Sequence, residues 1–316
     1  MLFGGADPIE RKFVLYNVHT GGELAVMIDC KHNFKKIRNN VEKSCGGKGP
    51  RQLKRNGVFI TFQQWKEAYL WDLDHSLKVN QKLTEGHFDI DPRSKMRNNL
   101  AEDVLDGEMK NLMVFYRNNV GSELPTEKLN ALNEAINLVS HTSEMIALFH
   151  SKQGIASISD ARIVKAKEFI QDMETWRVTC QDPRHFFSDK LWFDLQAMVL
   201  GLEEAVRIKT TAFPGTVVKP VIINQDILEN LFCQVRGSSG QNNNPNYYLY
   251  GGIMTSVNMG QTVISRKGNT GGDKSALPQA SLPNLHPFFH KCHRKSCIVF
   301  ATSYVTLQVS YHGVPP

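Results

Sequence analysis

Residues 23 to 29, ELAVMID, are a short apolar run closed by an acid, and the following CKHNFKKIRNNV switches to helical spacing, with Phe34, Ile37 and Val41 on one side. A strand running into a basic helix is the expected local structure. CGGKGP then supplies a Gly-rich turn and GVFITF a second short strand. Three amphipathic stretches follow. In TEKLNALNEAINLVSHTSEMI the apolar positions Leu129, Leu132, Ile136, Val139 and Ile146 keep three/four spacing, with Thr126 as the expected N-cap. DARIVKAKEFIQDMETW has the same texture, and DKLWFDLQAMVLGLEEAVRI repeats it with Leu191, Leu195, Met198, Leu202 and Val206 and with Asp189 near its start. These faces read as core, which makes residues 62–210 a helical unit of domain size. TTAFPGTVVKP breaks the pattern, and helical spacing returns with Leu228, Leu231, Phe232 and Val235. Beyond that, RGSSGQNNNPN and SRKGNTGGDKSALPQASLPN are rich in Gly, Ser, Asn and Pro, so residues 261–316 are expected to be a low-complexity or disordered tail.

Composition narrows the class. A chain of 316 residues with 41% hydrophobic and 22% charged positions buries a proper core and is expected to form more than one unit. Its longest apolar runs, such as LAVMI, fall far below membrane-spanning length, so no membrane partner is expected. The 6 cysteines are scattered and form no disulfide framework, which points to reduced thiols and a nuclear or cytosolic setting. Net charge is only +6, but its distribution is uneven. Between residues 31 and 55 lie Lys31, Lys35, Lys36, Arg38, Lys43, Lys48, Arg51, Lys54 and Arg55 against the single acid Glu42. Clustered cations release counterions from a polyanion, so this run is either a nucleic-acid surface or a solvated basic face.

The candidate chemistry rests on carboxylates. Asp226 and Glu229, three apart at a helix start, read by themselves as a capping box, with Asp226 at the N-cap. The same spacing leaves Glu229 able to turn toward a hard cation, since Mg²⁺ takes oxygen ligands from one or two carboxylates and paired ions assist phosphoryl displacement. Asp29 closes a strand, the end at which α/β folds place ligands, and its plain alternative is a strand-end turn. His32 either hydrogen-bonds that acid or caps the turn. GNTGGDKS, residues 268–275, is close to a phosphate-binding loop but has Asp273 where the glycine before the lysine is required, so it is not expected to be one. HPFFHKCHRKSC offers His286, His290, Cys292, His293 and Cys297 without the paired C-x₂-C spacing, so zinc is not expected. No Ser/His/Asp or Cys/His nucleophile pattern stands out.

Three signatures, in order, resemble one family. MIDCKHNFKKIRNN matches D-x-x-H-x-x-K-x-x-R-N at Asp29, His32, Lys35, Arg38 and Asn39. KLTEGHFDIDPRSKMRNNLAEDVLD matches an L-T-x-x-H stretch with its following K-M and L-A at Leu83, Thr84, His87, Lys95, Met96, Leu100 and Ala101. NQDILENLFCQVRGSSGQNNNP matches Q-D-x-x-E-x-x-F-x-x-(I/V)-R ending in G-x-N-N-N-P. Its matching residues are Gln225, Asp226, Glu229, Phe232, Val235, Arg236, Gly240, Asn242, Asn243, Asn244 and Pro245. The chain thereby resembles P-element-type DNA transposases, the group that includes the transposase-derived THAP proteins.

The resemblance implies an α/β, RNase H-like fold, here partial, interrupted by a mostly α-helical insertion that binds GTP. It divides the chain into an RNase H-like segment at 1–61, the insertion at 62–210, an RNase H-like C-terminal segment at 211–260 and the tail. It implies Mg²⁺ held by Asp29 and Glu229 as catalytic acids, with Asp226 and His32 in support. It also implies DNA contacts from Lys31, Lys35, Lys36, Arg38 and Arg236, and allows a homo-oligomer. The first acid of the family's D, D, E set would lie upstream, and Asp7, before a proline in a loop-like context, does not take its place. The expected function is therefore a transposase, or a truncated or domesticated derivative, whose Mg-dependent DNA cleavage and strand transfer are impaired. The alternative is a transposase-derived module that binds nucleic acid or GTP without strand chemistry.

Overall fold

The computed structural model describes residues 11–19, 21–45, 50–238, 248–253, 299–301 and 304–308. It opens on a hairpin of β1 (Val14–Asn17) and β2 (Gly22–Met27), reversed through Gly21, whose φ of 68° suits a residue without a Cβ. The strands are antiparallel, with Val14 opposite Ala25 and Asn17 opposite Gly22. Ala25 and Met27 face the main core, while Val26 joins a second cluster with Phe13, Ile28, Ala197 and Leu200. Coverage on both faces is why this strand reads as an unbroken apolar run rather than an alternation.

α1 (Cys30–Glu42) follows at once, with Phe34, Ile37 and Val41 buried as their spacing predicts. Most of the expected second strand is not strand. β3 (Lys54–Arg55) and β4 (Val58–Phe59) form a two-residue hairpin turned through Asn56 and Gly57, both at positive φ, as Asn-Gly hairpin turns require. Its C-terminal end is drawn into α2 (Phe62–Leu73) by a Thr61–Gln64 capping box. The helical series continues with α3 (Asn98–Asp103), α4 (Gly107–Val120), α5 (Thr126–Phe149), α6 (Ala161–Thr179) and α7 (Asp189–Ala212). In α5 the cap position falls on Pro125, with Thr126 the first helical residue rather than the cap. A further helix, α8 (Asp226–Ser238), follows the break at 213–219.

Packing does not follow the division expected at residue 61. Trp65, Ala68 and Met109 share one core cluster with Ala25, Phe34 and Leu53, and α7 lies directly on β2. One compact unit comprises residues 1–223 with 296–311, and a second comprises 224–295 with 312–316. The tail expected to be disordered is corrected in part: 299–301 and 304–308 are strands, β5 (Val299–Ala301) and β6 (Tyr304–Gln308). β6 pairs antiparallel with β2, giving the order β1-β2-β6-β5. The GNTGGDKS and HPFFHKCHRKSC motifs and the Asn242–Pro245 run lie outside the described residues. Among those described the structure is helix-rich with few strands, and no helix is long and apolar enough to cross a membrane.

Candidate functional site

Asp29 sits between the end of β2 and the first turn of α1, only 4% exposed. It is the N-cap of α1: one carboxylate oxygen accepts the Lys31 backbone N–H at 2.8 Å. His32 comes within 3.8 Å of the other oxygen, through Nδ1. At that separation the His32 ring stands beside the acid.

The basic run is corrected by its environment. Arg38 is fully buried and Lys35 is 8% exposed, so neither presents a charge to a phosphate backbone. Lys36 pairs with Asp194 of α7 at 2.5 Å, and Asn33 donates to the Asp194 carbonyl at 3.1 Å. Arg51 donates to the carbonyls of Pro183 and Phe186, Lys54 lies over the Phe59 ring, and Arg55 meets Asp172 while lying over Trp176. Lys43 is exposed and Lys31 is partly buried, while Lys48 lies outside the described residues. Most of this cluster binds the protein to itself.

What α1 grips is the second signature. Arg38 donates through Nε to Asn39 Oδ1 at 2.8 Å and through Nη2 to the carbonyls of Ser94 and Lys95 at 3.3 and 3.1 Å. Lys35 Nζ reaches the Met96 carbonyl at 3.5 Å, and Lys95 returns an ion pair to Glu42 at 3.3 Å. Upstream, His87 accepts the Thr84 N–H on Nδ1 at 3.0 Å and faces Asp103 with Nε2 at 3.2 Å. Two motifs more than fifty residues apart in sequence thus form one packed device. The matching K-M is the sequence signal for this contact, but nothing in the sequence marks Asp194, whose role appears only when α7 is laid against α1.

Glu229 occupies the first turn of α8, partly buried, its N–H bonded to the Gln225 carbonyl at 2.9 Å. The helix begins at Asp226, whose N–H is accepted by Asn224 Oδ1 at 3.0 Å. Asp226 is therefore the first helical residue, one position past the N-cap place expected for it. Arg236 is exposed in the last turn. Asp29 and Glu229 belong to different compact units.

As an oxygen donor fixed at a strand end, Asp29 has the chemistry a hard cation requires. Among the described residues, however, no three His, Cys, Asp or Glu side chains converge on one point.

Residues 222–249 match the family described as TNP-like, RNase H C-terminal domain, a stretch that contains Glu229. The search of solved structures returned the Drosophila P element transposase strand transfer complex, at 17% sequence identity and a TM-score of 0.54. The match covers 72% of this chain and 49% of that one, so the chain spans about half the length of the transposase it matches. At this identity the likeness is one of fold. The comparison with curated proteins gave no match.

Proposed function

Proceeding from a likeness to P-element-type transposases in both sequence and fold, we propose that this is a transposase-derived DNA-handling protein in which Asp29 and Glu229 are inherited metal-binding acids. The observation that carries the reading is Asp29 itself. It is an ionisable side chain held 4% exposed where a strand passes into a helix, fixed by a backbone N–H and attended by a histidine. Bound Mg²⁺ would activate an oxygen nucleophile and stabilise the leaving oxygen of a phosphodiester. This chain's own contribution would be to orient Asp29 through the Lys31 N–H, with the His32 imidazole beside it.

In this reading two acids are assigned, and strand cleavage is proposed to be impaired. The test is a Mg²⁺- or Mn²⁺-dependent nicking assay on duplex DNA, run beside metal binding. The expected result is Mn²⁺ binding that Asp29→Asn removes, with no nicking above background. Robust nicking abolished by Asp29→Asn would overturn the impairment, and Mn²⁺ affinity indifferent to both Asp29→Asn and Glu229→Gln would overturn the assignment of the acids. GTP binding by the helical part and a nuclear setting belong to the same proposal, and equilibrium dialysis against labelled GTP checks the first. A reading as a purely electrostatic DNA-binding module is not favoured, because most of the basic run is engaged internally.

A further inference from the structure

We propose that Arg38 is a positioning residue for Asp29: its buried guanidinium locks the Ser94–Met96 turn onto α1 and so fixes the helix whose N-terminus carries the acid. The proposal rests on reading Asp29 as a metal-binding acid. The two residues are nine apart on one helix, or about 13 Å along its axis, so Arg38 touches no bound metal and acts only through the placement of α1.

The environment of Arg38 is unusual for a guanidinium. It is 0% exposed, its hydrogen-bond acceptors are a neutral amide and two backbone carbonyls, and its buried Nη1 has no partner. Burial pushes the group below the usual arginine range, and Glu42 on the next turn partly offsets this. A buried charge so poorly compensated costs stability, and an apolar side chain of similar volume would avoid that cost. What the guanidinium supplies in return is geometry. Nη2 bridges two successive carbonyls of a single 3₁₀ turn while Nε holds the neighbouring Asn39, a two-nitrogen arrangement a lysine's point charge cannot reproduce. Lys95 reaching back to Glu42 at 3.3 Å closes the same turn from outside. On its flank toward α7, α1 is held by Lys36 and Asn33 on Asp194. Gripped from both sides, the helix is held against rotation and sliding, and the Asp29 carboxylate at its N-terminus inherits that constraint.

Two variants of the full chain separate positioning from packing. Arg38→Met keeps the volume and removes the guanidinium; Arg38→Lys keeps the charge and removes the guanidinium. Amide hydrogen exchange followed by mass spectrometry is expected to show residues 29–35 exchanging about tenfold faster in both variants, as a local opening does, with α5 at 126–149 unchanged. In parallel, Fe²⁺ with ascorbate and peroxide, used in place of Mg²⁺, is expected to cut the wild-type backbone near Asp29 and to lose or scatter that cut in the variants. Unchanged exchange at 29–35 in folded variants would overturn the proposal. So would equal acceleration in α1 and α5, which is the signature of a merely stabilising residue. Should Arg38→Met fail to fold, Arg38→Lys decides. Absence of cutting near Asp29 in the wild type would remove the metal reading of that acid, while the exchange result still decides whether Arg38 holds α1.

Discussion

At the scale of single residues, His87 shows how a motif position can be structural. The Thr84 N–H donates to Nδ1, which leaves the ring hydrogen on Nε2, facing Asp103 at 3.2 Å. The ring is 3% exposed and bridges a short capped turn to α3. Removing it strands a partly buried N–H and a partly buried carboxylate, and unsatisfied groups of this kind cost about 1–3 kcal/mol at full burial. His87→Ala should lower the stability measured by urea unfolding by up to that amount. His87→Asn, whose amide oxygen can stand in for Nδ1, should recover part of the loss. A change in His87→Ala no larger than about 0.5 kcal/mol, the range of ordinary surface substitutions, would show that the bridge carries no stability.

Among elements, the β3–β4 hairpin is tied to α5 and α6 by charge. Arg55 meets Asp172 at 2.5 Å and Glu134 at 3.5 Å, while His141 meets the other Asp172 oxygen at 3.2 Å. Burial pushes the Asp172 carboxyl upward, but hydrogen bonds from His141 and Arg55 outweigh it and hold the group below its ordinary range. A carboxyl depressed in the folded state contributes stability above its unfolded pKa and loses that contribution as pH falls through the folded value. The stability advantage of the wild type over Asp172→Asn should therefore be present at pH 6 and shrink below about pH 4. An advantage that stays constant from pH 6 to pH 3 would contradict the pairing. Elements of this kind are unevenly legible in the sequence. The faces of α5 and α7 can be read residue by residue, because Leu132, Ile136, Val139, Leu195, Met198 and Leu202 repeat at the helical period and are all buried. β1 leaves no such pattern, since VLYN is four residues long and only partly covered. Lys35 and Arg38 read as surface because a charged side chain carries no sequence mark of the carbonyls that will enclose it. Asp29 and Glu229 stand out as strand-end and helix-start acids, but Asp194, which anchors α1, belongs to a periodic apolar run that reads only as core.

For the larger unit, the decisive contact is α7 on β2, which makes the hairpin and the helices one cooperative body. A Cβ built on Gly201 would fall 2.2 Å from the Val26 carbonyl and 2.7 Å from Met27 Cγ. Alanine gains about 1 kcal/mol of helix propensity over glycine, whereas overpacking typically costs about 1–3 kcal/mol, and a strand carbonyl cannot withdraw as a flexible side chain can. Gly201→Ala should therefore lower the thermal midpoint despite its better propensity, and a raised midpoint would mean that α7 does not seat this closely. The same contact governs whether residues 62–210 can stand alone. Excision would uncover Ala197 and Leu200, which pack with Phe13, Val26 and Ile28, and would open the main core where Leu195 and Met198 share it with Ala25 and Met27. It would also take Lys36 from the buried Asp194, Arg55 from Asp172, and the Lys54 carbonyl from the Trp176 indole N–H. Helical hydrogen bonds are local and survive this, but side-chain packing does not. The isolated fragment should keep a helical far-ultraviolet spectrum while losing the cooperative thermal transition and near-ultraviolet signal of the full chain and gaining dye-binding apolar surface. A sharp, cooperative transition in the fragment would show instead that the helical part is an autonomous domain, and the coupling of α7 to the strand that leads to Asp29 would then need another explanation.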